Sequence, residues 1–335
     1  MRGSLPELLA ERRVLLADGA TGTNYFQDGL APGEPPEFWN FDQPERVAAL
    51  HQRFVDAGAD IILTNSFGCN RQRLKLHNAQ DQVYELAKRS AGIARMVADS
   101  VDWPVIVAGA VGPTGELFEP LGALNEADAI ASFSEQMRGL KAGGADVAWI
   151  ETMSAPEEIR AACKAAIAVG MAYVATCSFD TAGRTMMGLM PGDLKAVFDG
   201  LDPAPLAIGA NCGVGASDIL VSILAMSEHD HDTTIVGKAN CGVPHFQGTE
   251  IVYSGTPKLM SNYVELAVHA GARIVGGCCG TSPEHLAAMR VAVNRRNAGS
   301  RPSLEAIIDR IGPLANSVPT INAAPKRDRR RTPKP

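Results

Sequence analysis

Eight short apolar runs, mostly separated by stretches with helical spacing, constrain the fold of this chain more than any other feature. They lie at residues 14–17, 61–63, 105–108, 147–150, 173–176, 206–208, 234–236 and 273–276. Glycine, proline or polar residues bound each run. None alternates apolar with polar as a half-wet strand does, so they read as strands of a parallel sheet buried on both faces. Residues 44–58 between them place apolar side chains at three- and four-residue intervals and end on Gly58, the pattern of an amphipathic helix with a glycine C-cap. The same small-residue ending precedes the fourth run (Ala142-Gly-Gly-Ala145) and the eighth (Ala270-Gly-Ala272). Helix, small-residue joint and strand thus form a repeated unit, and eight units predict an α/β fold, the (β/α)8 TIM barrel. The competing doubly wound sheet would carry a glycine-rich phosphate loop after its first strand, and none is present.

A barrel over residues 1–310 fits the 335-residue length, with 46% hydrophobic and 20% charged residues. Residues 311–335, polar and then basic (Lys326-Arg-Asp-Arg-Arg-Arg331), read as a disordered, solvated tail. The net charge of −6 argues against a nucleic-acid partner. No apolar run reaches the roughly 18 residues of a membrane span, and the opening Met1-Arg-Gly-Ser-Leu-Pro has no signal-peptide character. A cytoplasmic location without membrane contact is expected, and the seven cysteines, an odd number, fit reduced thiols. Oligomeric state stays open, a homo-oligomer included.

On such a barrel, residues just after each strand gather on the C-terminal face, where these folds keep their active sites. Here they are Asp18-Gly19, Thr64-Asn-Ser66, 109–115, Glu151-Thr152, 177–180, Asn211-Cys212, Lys238-Ala-Asn-Cys241 and Gly277-Cys-Cys279. Free cysteine often packs as a small hydrophobe, but the adjacent Cys278 and Cys279 have glycines on both sides, which packing alone does not ask for. With Cys212 they make a three-sulfur site suited to Zn2+, open at the fourth position. Zinc so bound is a poor source of hydroxide. A thiol bound to it loses its proton yet stays nucleophilic, whereas a free thiol of pKa about 8.5 is only a few per cent ionised at pH 7. The predicted chemistry is alkylation of a substrate thiol. His229-Asp-His231 reads as a polar turn, Cys69 and Cys241 as rim cysteines that are not ligands, and Cys163 as helix packing.

The segments Asp18-Gly-Ala-Thr-Gly-Thr23, Thr64-Asn-Ser-Phe67, Gly112-Pro-Thr-Gly115, Ile150-Glu-Thr152, Ala210-Asn-Cys-Gly213 and Gly276-Gly-Cys-Cys-Gly-Thr281 resemble the homocysteine S-methyltransferase family. The resemblance covers about residues 10–295. It implies Cys212, Cys278 and Cys279 as zinc ligands, homocysteine sulfur as the fourth, and methionine as the product. It also implies that Asp18, Gly19, Ser66 and Glu151 contact the amino-acid end of homocysteine, where a carboxylate suits an α-ammonium. The pattern around Met186-Met-Gly188 and Gly255-Thr-Pro-Lys-Leu-Met260 looks most like bacterial betaine–homocysteine methyltransferases, which implies glycine betaine as donor and dimethylglycine as by-product. S-methylmethionine and a methylcobalamin-bearing corrinoid partner are the alternative donors. A trimethylammonium group wants an aromatic face. Tyr25, Phe26, Phe38, Trp39 and Phe41 follow the first strand, and Trp39 is taken as the donor contact. Animal betaine enzymes of this family carry a zinc-capping tyrosine shortly after the second strand, and the aligned residue here is Gly68. Two other classes compete: a non-catalytic zinc-binding subunit, and a barrel lyase or aldolase with Lys238 as its Schiff-base lysine.

Overall fold

The computed structural model describes residues 3–228, 232–247, 250–295 and 299–315. In chain order the strands are β1 (Leu15–Leu16), β2 (Ile61–Leu63), β3 (Ile106–Val111), β4 (Val147–Met153), β5 (Tyr173–Cys177), β6 (Ala207–Cys212), β7 (Ile235–Ala239), β8 (Pro244–Gln247), β9 (Glu250–Tyr253) and β10 (Ala272–Gly277). Strands β8 and β9 form an antiparallel hairpin inserted after β7. The other eight make one parallel sheet, ordered β1-β10-β7-β6-β5-β4-β3-β2. A parallel bridge from Ala17 to Ile61 joins its two ends, completing the expected (β/α)8 barrel. All eight apolar runs became strands. Several strands run further than their apolar run, β4 through Glu151 and β6 through Cys212, because the ladder continues where the side chains turn polar.

Side chains alternate along each strand. Ile106, Ala108 and Ala110 of β3 join an interior cluster with Leu15, Ile61, Leu63, Trp149, Val174, Val236 and Ile274. Val107 and Val111 instead join the shell between strands and helices. The helix Leu5–Glu11 is fixed by a capping box between Ser4 and Glu7, and its Leu5, Leu8 and Leu9 belong to the interior cluster. The repeated small-residue joints are explained by backbone geometry. Gly58, Gly144 and Gly271 have φ of 97°, 98° and 113°, a left-handed turn that glycine enters without steric cost.

Asp60, next to the first of these joints, is 3% exposed and accepts a hydrogen bond from Leu16 N while pairing with both Arg12 and Arg290. Asp60→Ala removes the shared acceptor of Arg12, Arg290 and the Leu16 amide, leaving Arg290 its bonds to Gly58 O. We expect a loss of about 3 kcal/mol in urea unfolding, and a loss under about 0.5 kcal/mol would contradict this account of the joint.

Residues 311–315 are tied down. Ser217 Oγ donates to Gly312 O (2.8 Å) and Ala315 N donates to Asp218 Oδ2 (3.1 Å), both at the start of the helix Ala216–Met226. Contacts with the barrel thus extend to Ala315. The basic run and His229–His231 lie outside the described residues. Among the described residues, no helix is long and apolar enough to cross a membrane.

Candidate thiol and metal site

Strand β7 lies between β6 and β10, and its register sets Cys212, Ala239 and Gly277 level with one another. Cys212 and Cys278 therefore flank the small Ala239, whose carbonyl accepts from Cys278 N at 2.7 Å. The sulfurs of Cys212 and Cys279 stand 3.9 Å apart, and all three lie within 4.8 Å of one another. A tetrahedral ion with bonds of about 2.3 Å to sulfur wants sulfurs about 3.8 Å apart, so the trio fits zinc. These three thiols are half-buried, while Cys69, Cys163, Cys177 and Cys241 are buried and none of the seven forms a disulfide.

The site strains its own backbone. Cys212 (φ 60°) and Thr152 (φ 63°) both occupy the left-handed region, which a non-glycine residue enters at a cost. Asn211 holds both in place. Its Oδ1 accepts from Thr152 N (2.8 Å) and Thr176 Oγ1 (2.6 Å), and its Nδ2 donates to Thr152 Oγ1 (2.7 Å). Asn240 ties the two cysteine loops together, accepting from Cys279 N and donating to Gly213 O, each at 3.0 Å. Sequence reasoning placed both asparagines on the rim without a role. The signal available was that each directly precedes a cysteine at a strand end.

Beside the sulfurs one ammonium faces two carboxylates. Lys238 Nζ lies 2.9 Å from Asp18 Oδ1, with both side chains almost fully buried, and Asp18 Oδ2 accepts from Leu63 N at 2.7 Å. Burial pushes the Asp18 carboxyl up, against the ammonium and the amide that hold it down. Burial pulls Lys238 down, but Asp18 and Glu151 more than offset it and keep the ammonium charged. Glu151 is the surplus carboxylate. Burial pushes it up to about 8, opposed mainly by the charge of Lys238.

That shift fixes a pH dependence for the metal-free protein. A carboxyl raised from 4.5 to about 8 on folding favours the native state while both states hold the proton. Stability is then lost as pH climbs from 4.5 to about 8, because the unfolded chain ionises first. Glu151→Gln should therefore stabilise the metal-free protein by on the order of 2–4 kcal/mol at pH 8.5 and by almost nothing at pH 4.5. Equal gains at both pH values, measured by urea unfolding, would contradict the assignment.

The other expected residues fall as follows. Gly19 admits no side chain, since a Cβ there would lie 2.5 Å from Thr281 O and 2.9 Å from the Phe54 ring. Ser66 is fully buried; its hydroxyl meets Thr64 Oγ1 (2.6 Å) and donates to Ala110 O (2.8 Å), so it holds the rim together. Gly68 sits on the buried carboxylate of Glu37, which accepts its amide at 2.6 Å and would collide with any Cβ. Trp39 is 3% exposed, packed on Tyr25 at 5.0 Å and covered by the Arg46 guanidinium at 5.2 Å, which leaves no open ring face. The donor contact expected of Trp39 is thereby replaced by a packing role.

Residues 15–293 match the homocysteine S-methyltransferase family. The chain belongs to that family. It is 29% identical over 312 residues to the methionine synthase of Mycobacterium leprae, an overlap that spans 89% of this chain and 26% of that protein. With the methionine synthase of Mycobacterium tuberculosis it shares 28% identity over 296 residues, 84% of this chain and 25% of that one. The chain thus spans about a quarter of the length of these relatives. Among solved structures, the metallated form of the homocysteine methyltransferase MmuM from Escherichia coli is similar at a TM-score of 0.73 and 22% identity, covering 86% of this chain and 99% of MmuM. Its apo form gives 0.66 at 21% identity, covering 85% and 98%. These likenesses support the barrel fold of the family member described here.

Proposed function

We propose that this chain transfers a methyl group to the sulfur of homocysteine, giving methionine, at a zinc site made by Cys212, Cys278 and Cys279. The carrying observation is a single neighbourhood in which three sulfurs converge beside one ammonium and two buried carboxylates. The sulfurs suit a thiolate, and the carboxylate in excess suits the α-ammonium of an amino-acid thiol. When bound, zinc would ionise the thiol and keep it nucleophilic at neutral pH. The chain's own residues do the rest. Asn211 and Asn240 hold the cysteine loops, Lys238 holds Asp18, and Glu151 pairs with the α-ammonium. A fixed sulfur then meets the methyl carbon in line, as proximity catalysis requires. Glu151→Gln should weaken homocysteine binding by about tenfold or more with zinc content unchanged. An unaltered affinity by calorimetry would remove this role. The ion pair of Lys238 with the buried Asp18 favours its charged form and so disfavours the aldolase reading, since a Schiff-base lysine must lose its proton.

For the donor we propose glycine betaine, leaving as dimethylglycine. The ring it would use is that of Phe67, which is 37% exposed on the rim beside Gly112. The buried Trp39 favours a second reading, S-methylmethionine or a methylcobalamin-bearing partner, because a quaternary ammonium finds no open face there. Three free thiols at the site need a reducing compartment, and on that ground we place the chain in the cytoplasm. The test is zinc-loaded protein with homocysteine and, separately, betaine, dimethylsulfoniopropionate, S-methylmethionine and methylcobalamin, with methionine measured by mass spectrometry. Methionine from betaine supports the reading; methionine only from another donor moves the assignment there. No methionine from any donor, with no homocysteine binding, contradicts thiol methylation.

A further inference from the structure

The end of the barrel opposite the sulfurs carries a hollow of about 230 Å3. Three segments wall it: Arg12-Arg13-Val14, which lead into β1, and the C-terminal turns of the helices Pro257–His269 and Pro283–Arg295. Arg13 precedes β1 and Asp18 follows it, so the strand separates the hollow from the thiol site. Liquid water takes about 30 Å3 a molecule, so the space holds the equivalent of roughly eight waters, room for a compact solute and not for a peptide.

Its charge runs against that of the chain. The protein carries a net −6, yet the guanidiniums of Arg12, Arg13, Arg290 and Arg295 line the hollow against one carboxylate, Glu265. Glu265 is engaged elsewhere, 2.7 Å from Arg310. Arg12 and Arg290 share a single buried carboxylate, Asp60. Arg290 also donates to Gly58 O at 2.9 and 2.6 Å, which fixes its guanidinium. Among the described residues, Arg13 and Arg295 have no ion pair, and both are exposed. Nearby carbonyls do not cancel this excess, because Leu9 O, Arg12 O and Arg13 O already accept from Arg273. The same three bonds hold the loop that presents Arg12 and Arg13. Val14, Val268 and Val293 make the rest of the wall apolar.

We propose that this hollow binds a small phosphate-bearing molecule, with its phosphate on the guanidiniums and a short carbon skeleton against the valines. Guanidinium forks match phosphate oxygens in pairs. A phosphate also packs up to two charges onto one centre, which suits a confined positive excess better than a carboxylate does. Barrels of this kind keep catalysis at the other end, so the ligand is an effector and not the substrate. Its binding stabilises the native fold by mass action.

The test is calorimetry on metal-free protein in about 0.15 M NaCl, with pyrophosphate, glycerol 3-phosphate and succinate as probes. Wild type is compared with Arg13→Glu/Arg295→Glu, whose fold is checked by circular dichroism. Both phosphates should bind wild type with Kd of about 0.1 mM or tighter, and the double variant should weaken each by at least about thirtyfold. Lys75→Glu/Lys88→Glu makes the same change in net charge elsewhere and should match wild type within about twofold. An equal loss in both variants would overturn the site, because it marks overall charge alone. Succinate bound as tightly as either phosphate would overturn the choice of phosphate, and pyrophosphate bound without glycerol 3-phosphate would overturn the place given to a carbon skeleton. Binding of neither phosphate would overturn the proposal outright. None of these readings depends on zinc or on homocysteine.

Discussion

Cys278→Ala is expected to retain under about a tenth of the wild-type zinc and to make methionine about a thousandfold more slowly, with its fold intact. The alanine removes one of only three protein ligands, and an ion left on two sulfurs binds far more weakly. A thousandfold corresponds to about 4 kcal/mol of transition-state stabilisation, a fair share for a metal that ionises the nucleophile. The fold should survive because the barrel is held by its own interior, Leu15, Ile61, Trp149, Val236 and Ile274 among others, none of which touches the metal reading. Metal analysis and circular dichroism on the same sample check both halves. Full zinc occupancy in this variant would remove Cys278 from the site.

Lys238→Met is expected to destabilise the protein by about 3–5 kcal/mol at pH 8. Methionine keeps most of the side-chain volume, so packing against Gly276 changes little. What is lost is the single ammonium between Asp18 and Glu151, whose carboxylates are 1% and 8% exposed. Two buried like charges without a partner take up protons instead, so the loss should shrink as pH falls to about 5. A chain of this size should lose very roughly 6–15 °C in melting temperature at pH 8. A loss under about 1 kcal/mol there would show that the cluster is not electrostatically coupled as described.

Much of the fold was legible in the sequence because barrel strands are apolar on both faces and their helices end on small residues. The legible part stopped where the strands turn polar, at Glu151, Asn211 and Lys238, since a hydrogen-bonded ladder leaves no hydrophobic trace there. The three cysteines announced themselves through their glycines and their strand-end positions. Their supports did not: Asn211 and Asn240 act through contacts with residues far away in sequence. Trp39 was misread for a related reason. A loop aromatic looks available until Arg46, from the following helix, is found lying over its ring.

The most direct test of zinc-based thiol activation is X-ray absorption at the zinc edge, recorded with and without homocysteine. The account predicts three sulfurs at about 2.3 Å and one lighter atom in the free protein, and four sulfurs once homocysteine is bound. A sulfur count that stays at three when homocysteine saturates the protein would contradict it.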